Sequence, residues 1–388
     1  MRRVYLDNNA TTPLLPEVFE AMRPYFLEKF GNASSIHQQG QQARAAVEQA
    51  RDSVAGLLGA RAAEIVFTSG GTEGDNLAIF GLVAPGDHII TSAVEHHAVL
   101  NSCKRAEALG VEVTYLPVDG EGLVDPGEVR AALRPNTRLI SVMMANNETG
   151  AVQPVEEIGR IAAEAGVRFH TDAVQAAGKL PIDVGRIRCD LLSISAHKLH
   201  GPQGVGALFV RKGTLLQPLL HGGRHERGRR AGTENLPGIV GLGKAASLAS
   251  EWLAGGGAAK MASMRDRFEQ RMLSEVELTR CNSGKVARTP NTSNIIFECI
   301  EGEALVIALD LKGISVSTGA ACSSGAVEPS HVLTAMGLTA SQARASIRFS
   351  LGKQTTEDDL DFVLDQAPAA VAKLRELSPV WKKAVSSF

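Results

Sequence analysis

The sequence is short of aromatic side chains, of paired cysteines, of long apolar runs and of net charge. Only 4% of its 388 residues are aromatic, against 44% apolar overall. Its core must therefore be built from aliphatic side chains on closely approaching backbones. Five cysteines, at 103, 189, 281, 299 and 322, make an odd set with wide gaps and no Cys-x-x-Cys pair. Neither a disulfide framework nor a zinc ribbon fits that spacing, and a reducing cytoplasm with at least one free thiol is the expectation. Forty Lys and Arg nearly cancel forty-two Asp and Glu, for a net charge of −2, so no broad field favours nucleic acid or an anionic membrane. Apolar runs such as LISVMMA (139–145) fall far short of the roughly 20 residues a spanning helix needs. The opening MRRVYLDNNATT has two Arg but no apolar stretch of signal-peptide type. With 39 Gly and 16 Pro, the chain has ordinary globular proportions, not those of a collagenous or low-complexity one.

What is present is alternation. Residues 35–58 carry apolar side chains on one helical face. EIVFTSGG (64–71) reads as a strand running into a helix from Thr72 to about Val83. HIITSA (88–93), VEVTYLP (111–117), LISVMMA (139–145), VRFHTD (167–172), DLLSISA (190–196) and VGALFV (205–210) read as further strands. Helical stretches near 96–109, 125–133 and 154–165 are interleaved with them. Such repetition predicts an α/β fold whose large sheet is mostly parallel and covered by helices on both faces. Two helical stretches, 235–254 and 258–275, flank a Gly255-Gly256-Gly257 break. Beyond it NTSNIIFEC (291–299), a helix near 302–311, GISVS (313–317) and SIRFSLG (346–352) suggest a smaller α+β domain. A last helix should begin after Thr355-Thr356, with Asp358 and Asp359 in its first turn and a kink at Pro368. The expected division is 14–257 for the large domain, and 1–13 with 258–388 for the small one.

Ligands in open α/β sheets sit beyond the carboxyl ends of the strands. There this sequence places Gly70-Gly71-Thr72 at a helix start, Asn146-Asn147-Glu148, Asp172 with Gln175 three residues on, and His197-Lys198. A glycine turn at a helix N-terminus suits a phosphate. An aspartate suits a protonated pyridine nitrogen, and a lysine amine can condense with an aldehyde. Each feature alone also has a plain structural reading, as a bare turn, a helix cap or a surface lysine. Their conjunction describes pyridoxal 5′-phosphate.

Ten stretches, in order and spanning nearly the whole chain, then carry a family resemblance: YLDNNATT (5–12), FGNASSIH (30–37), FTSGGTE (67–73), EHHAVL (95–100), NNETG (146–150), FHTDAVQAAGKLPIDV (169–184), SAHKLHGPQGVGALFV (195–210), GGRHERGRRAGTEN (222–235), PNTSNIIFE (290–298) and GAACSSGAVEPSHVL (319–333). The chain resembles cysteine desulfurases of the NifS/IscS type, within the class V, fold-type I pyridoxal-phosphate enzymes. GRRAGTEN and the C-terminal pattern look closer to the NifS branch, which implies a link to nitrogenase maturation. By resemblance, Lys198 joins the cofactor aldehyde, Asp172 pairs with its ring nitrogen, and Gln175 bonds its phenolic oxygen. His96 stacks on the ring and shuttles protons. Gly71, Thr72, Ser195 and His197 hold the phosphate, and Thr233 reaches the phosphate of the neighbouring subunit of a homodimer. Asn147 lies near ring and substrate, and Arg348 grips the substrate carboxylate. Cys322 accepts the sulfur of L-cysteine as a persulfide, L-alanine leaves, and a NifU- or IscU-type iron–sulfur scaffold takes the sulfur.

The small, polar GAACSSG surroundings of Cys322 fit a thiol that must visit a buried substrate, though an inert loop thiol has the same setting. The other four cysteines read as packing residues. GGRHERGRR (222–230) holds four Arg, yet its place just before Thr233 favours a subunit contact over nucleic acid, and no Cys/His spacing there or elsewhere supports a metal. The sequence departs from the family pattern at Ala196, where Gly is usual, at Gly74, where Ser is usual, at the variable His97, and at Ala320. Two other readings stay open beside the desulfurase: a class V aminotransferase or selenocysteine lyase, and a non-catalytic sulfur carrier that keeps the fold.

Overall fold

The computed structural model describes residues 2–318, 328–379 and 381. Twelve strands run through the described residues: β1 (Val4–Tyr5), β2 (Ile65–Thr68), β3 (His88–Ser92), β4 (Glu112–Leu116), β5 (Thr137–Ser141), β6 (Arg168–Asp172), β7 (Leu191–Ser195), β8 (Gly206–Val210), β9 (Thr279–Asn282), β10 (Thr292–Phe297), β11 (Ile314–Ser315) and β12 (Ser346–Ser350). Seven form one sheet in the order β2-β8-β7-β6-β5-β3-β4. Pairing is parallel from β7 through β6, β5 and β3 to β4, while β8 runs antiparallel to both β2 and β7. The mostly parallel sheet expected from the strand–helix alternation is thus present, with one reversed strand inside it.

Every residue of β2, β3, β7 and β8 is buried, as a sheet covered on both faces requires. Neighbouring residues of one strand serve different cores. Ile90, Ile140, Phe169 and Phe209 pack with the helices Gln38–Leu58 and Leu236–Ala254. Ile89, Leu139, Leu191 and Leu208 pack with the helices Gly71–Phe80 and His97–Glu107. Alanine and glycine allow the close approach that scarce aromatics demand. A Cβ added at Gly243 would lie 2.5 Å from the Ala50 Cα on the facing helix.

A separate apolar cluster joins Val4 and Leu6 to Phe268, Phe297, Leu305, Phe349 and Leu364. Around it lie the antiparallel sheet β9-β10-β12 and the parallel pair β1–β11. The glycine triplet does break the helical run: one helix ends at Ala254, and the next starts at Gly257 after Gly256 turns at φ 76°. The last helix, Glu357–Leu377, is capped reciprocally by Thr356 and Asp359 and continues through Pro368. Strand β9 went unseen in the sequence because TRCN is mostly polar, and the pairing of β1 with β11 because two-residue strands carry too little periodicity. Among the described residues no helix is long and apolar enough to cross a membrane.

Candidate active site

Beyond the carboxyl ends of the central strands lies a cavity of about 480 Å³. The sheet delivers its walls. Strand β2 runs through Gly70 into the helix Gly71–Phe80, β6 ends on Asp172, and β7 ends on Ser195 just before His197 and Lys198. His96 is the N-cap of the helix His97–Glu107, and Arg348 comes from β12 of the small sheet. Gly71, Thr72, His96, Asn147, Asp172, Gln175, Ser195, His197, Lys198 and Arg348 all line this one space. Thr233 does not line it and is exposed. Cys322 lies outside the described residues.

Burial sets the electrostatics. Lys198 donates from Nζ to the carbonyls of Asn9 (2.5 Å) and Ala10 (2.6 Å). Desolvation and the nearby Arg348 charge lower its pKa to about 8, against the pull of Asp7 and Asp172. Burial likewise pushes the Asp172 carboxyl up to about 6, opposed by a hydrogen bond from the Val174 amide and by Lys198. Burial, with Lys198 and two neighbouring imidazoles, drops His96 to about 4. Its Nδ1 accepts from the Ala98 amide at 3.1 Å, so the neutral ring carries its proton on Nε2. His197 falls to about 4 for the same first reason, and its Nδ1 meets Thr11 Oγ1 at 3.1 Å.

Several of these groups are short of partners. The Gly71–Phe80 helix has no side-chain cap, which leaves its first N–H groups facing the cavity end. Arg348 gives Nη1 to the Asn147 carbonyl (2.9 Å) and Nη2 to Asp7 Oδ1 (2.8 Å), while its Nε is buried with no partner among the described residues. At Gly71 a Cβ would come within 2.6 Å of the Val174 side chain, so only glycine leaves this turn open. Gly74 has a local reason too: a Cβ there would sit 2.9 Å from Ser193 Oγ, which bonds His170 Nε2 at 3.0 Å. Serine at 74 would crowd that hydroxyl.

Three of the four cysteines inside the described region are unreactive by setting. Cys103 and Cys189 are buried and Cys281 half-buried, and desolvation raises each thiol to about 12.

Sequence reasoning missed Asn9, Asp7 and Lys179. Asn9 is buried and joins both halves of the site. Its carbonyl accepts from Lys198 and from Gln175 Nε2 (2.9 Å), and its Nδ2 donates to Thr292 Oγ1 (2.8 Å) and the Asn147 carbonyl (3.1 Å). Asp7 fixes the Arg348 fork. The available signal was the polar run Asp7-Asn8-Asn9 straight after Val4-Tyr5-Leu6, of which Asn8 and Asn9 prove buried and Asp7 half-buried.

The chain belongs to the class-V aminotransferase family, whose pattern matches residues 4–363. Members of this family use pyridoxal 5′-phosphate. Over 388 residues the chain is 50% identical to a cysteine desulfurase IscS of Dictyoglomus turgidum, covering 98% of each chain. Among solved structures, a NifS-like protein superposes with TM-score 0.89 at 38% identity over 96% of this chain and 100% of that one. A structure described as SspA in complex with cysteine superposes with TM-score 0.80 at 40% identity over 91% and 100%. The α/β fold is therefore that of the fold-type I pyridoxal-phosphate enzymes. The cavity fits that cofactor on its own terms: an uncapped helix start for a phosphate, a buried carboxylate for a ring nitrogen, a desolvated amine for an aldehyde, and an orphaned guanidinium N–H for a carboxylate.

Proposed function

We propose that the protein is a cysteine desulfurase that removes sulfur from L-cysteine, releases L-alanine and holds the sulfur as a persulfide on Cys322. The observation that carries this reading is the convergence of Lys198, Asp172, His96 and Arg348 on one cavity, in a chain half identical to proteins named cysteine desulfurase. When bound, pyridoxal 5′-phosphate supplies an aldehyde for covalent attachment and a ring that takes up the electrons freed at the substrate Cα. Gly71, Thr72, Ser195 and His197 hold its phosphate, Asp172 its ring nitrogen and Gln175 its phenolic oxygen.

Lys198 is the amine for attachment and the base at the substrate Cα. With its pKa near 8 about a tenth is unprotonated at pH 7, far more than for an ordinary lysine near 10.4. Arg348 holds the substrate carboxylate with the N–H groups that Asp7 and Asn147 leave over. Asp7 and the Asn147 carbonyl orient the guanidinium, so the Cα hydrogen is presented to one side. His96 covers the ring and offers a hydrogen-bond donor at Nε2. Its low basicity favours the bound substrate over His96 as the group that takes the Cys322 proton, because an ordinary thiol near pKa 8.5 is a few per cent ionised at pH 7.

The reading extends to a cytoplasmic homodimer that passes sulfur to a NifU- or IscU-type scaffold. Phe26, Leu27, Phe30 and Ile36 are exposed together in the N-terminal segment, and Thr233 is exposed rather than turned into its own cavity. Both are what a subunit contact would cover. The division into 14–257 and 1–13 with 258–388 is supported by the separate apolar cluster that Val4 and Leu6 join.

Cys322→Ser tests the reading. The variant should bind the cofactor and still change its near-visible spectrum on adding L-cysteine, yet form no sulfide. Sulfide at the wild-type rate would refute the assignment. Alanine formed only with a keto-acid acceptor would favour the aminotransferase alternative.

A further inference from the structure

Lys179 has no part in the reaction as set out above, yet it sits against the cavity wall. It is 8% exposed, on the turn that follows β6. Gly178 makes that turn in the left-handed region at φ 74°, with its Cα pressed so close to the strand-end segment that a Cβ would lie 3.0 Å from that of Leu199. The chain is thereby folded back and Lys179 Nζ is brought to Gln175 Oε1, 2.8 Å away, and to Asn9 Oδ1, 3.3 Å away. Among the described residues no carboxylate pairs with this amine. The charged groups that bear on it are Lys198 and Arg348, both cations, and burial with their repulsion lowers its pKa.

An amide side chain can present either end to a ligand at almost no steric cost, and the end decides whether it donates or accepts. At Gln175 that choice is already made. Lys179 holds the oxygen, so Nε2 stands on the opposite side, where one N–H goes to the Asn9 carbonyl at 2.9 Å. A primary amide has two such N–H groups. The second remains for the cavity that Gln175 lines. The Asn9 amide is oriented by the same contacts, since its Oδ1 also accepts from Asn291 Nδ2 at 2.9 Å.

We propose that Lys179 is a positioning residue that fixes the Gln175 amide with its N–H end toward the cofactor ring. This rests on the reading that the cavity binds pyridoxal 5′-phosphate with Gln175 at its phenolic oxygen. A donor facing that oxygen favours its deprotonated form, whereas a reversed amide would place lone pair against lone pair. Lys179 therefore acts on the protonation of the cofactor through Gln175, without touching it.

The test is a pH titration of the near-visible absorption of the cofactor-loaded protein, without substrate. In Lys179→Met the amide loses its anchor, and the midpoint should rise by about one pH unit, a tenfold change in the proton equilibrium. Lys179→Gln keeps a donor for Gln175 Oε1 without the charge and should restore the wild-type midpoint. Gln175→Leu should raise the midpoint as Lys179→Met does, and the double variant should show no further rise. An unchanged midpoint in Lys179→Met overturns the proposal, as does a double variant in which the two effects add. Should Lys179→Met not fold, a shifted midpoint in Lys179→Gln, or an unshifted one in Gln175→Leu, overturns it equally. A wild-type protein that develops no such absorption with the cofactor instead defeats the underlying reading.

Discussion

Replacing Arg348 by lysine keeps one positive charge and removes the fork, so it isolates what the guanidinium geometry contributes. Arg348 has five N–H groups. One goes to the Asn147 carbonyl and one to Asp7 Oδ1, and the Nε–H is buried without a partner. The second N–H of each Nη is then left for a substrate carboxylate, enough for two parallel bonds. Lysine has three N–H groups, of which the same two acceptors claim two. A clamp of two bonds becomes a single one. A hydrogen bond to a charged group contributes about 1.5–3 kcal/mol, so kcat/KM for L-cysteine should fall about 10- to 150-fold. The cofactor spectrum without substrate should keep its intensity, because in the proposed arrangement Arg348 serves the substrate and not the phosphate. The assay is steady-state alanine and sulfide release with a reductant over a range of cysteine concentrations. A kcat/KM close to wild type in a fully loaded Arg348→Lys protein would refute the clamp, and a loss of cofactor in that variant would refute its assignment to the substrate.

Other outcomes follow from the same geometry. The Lys198 amine, lowered to about 8 by burial and by Arg348, is charged below that value and free above it. Covalent uptake of the cofactor by the cofactor-free protein should therefore accelerate as pH rises through about 8 and level off beyond. An acceleration that continued to the ordinary lysine range near 10.4 would contradict the desolvation argument. Asn9→Ala removes an amide that bonds Thr292, Asn147 and Lys179 and accepts from Asn291. It should cost about 2–4 kcal/mol in urea unfolding of the cofactor-free protein, from partners left buried and unpaired. It should also weaken cofactor binding, since the two halves of the site meet at this residue; a loss of stability below about 0.5 kcal/mol would show that water replaces the amide.

Much of the fold was legible because the large sheet is built from short, mostly buried strands that alternate with amphipathic helices and are bounded by Gly, Asp and Lys. Strands β2 to β4 and β6 to β8 fall inside the runs read from the sequence, β5 starts two residues before its run, and the helix Gln38–Leu58 begins three residues after its expected start because His37 caps it. What stayed hidden depends on tertiary contact. β1 is two residues long and exists only because Ile314 and Ser315 lie beside it. The antiparallel sense of β8 cannot be read from VGALFV, whose pattern is the same in either direction. Asn9, Asp7 and Lys179 act through partners that include residues 282 to 341 positions away, or through a glycine turn, and no local periodicity encodes such pairs. The motif residues were legible for the opposite reason. Gly71, Asp172 and Lys198 each stand at the end of a strand, where the sheet itself gathers them.

The central claim is that one particular amine, that of Lys198, takes the cofactor. It is tested most directly by loading the purified protein with pyridoxal 5′-phosphate, reducing with borohydride and locating the adduct by peptide mass. The account predicts a single stable adduct on the peptide that carries Lys198. An adduct on the neighbouring buried Lys179, or none at all, would contradict it.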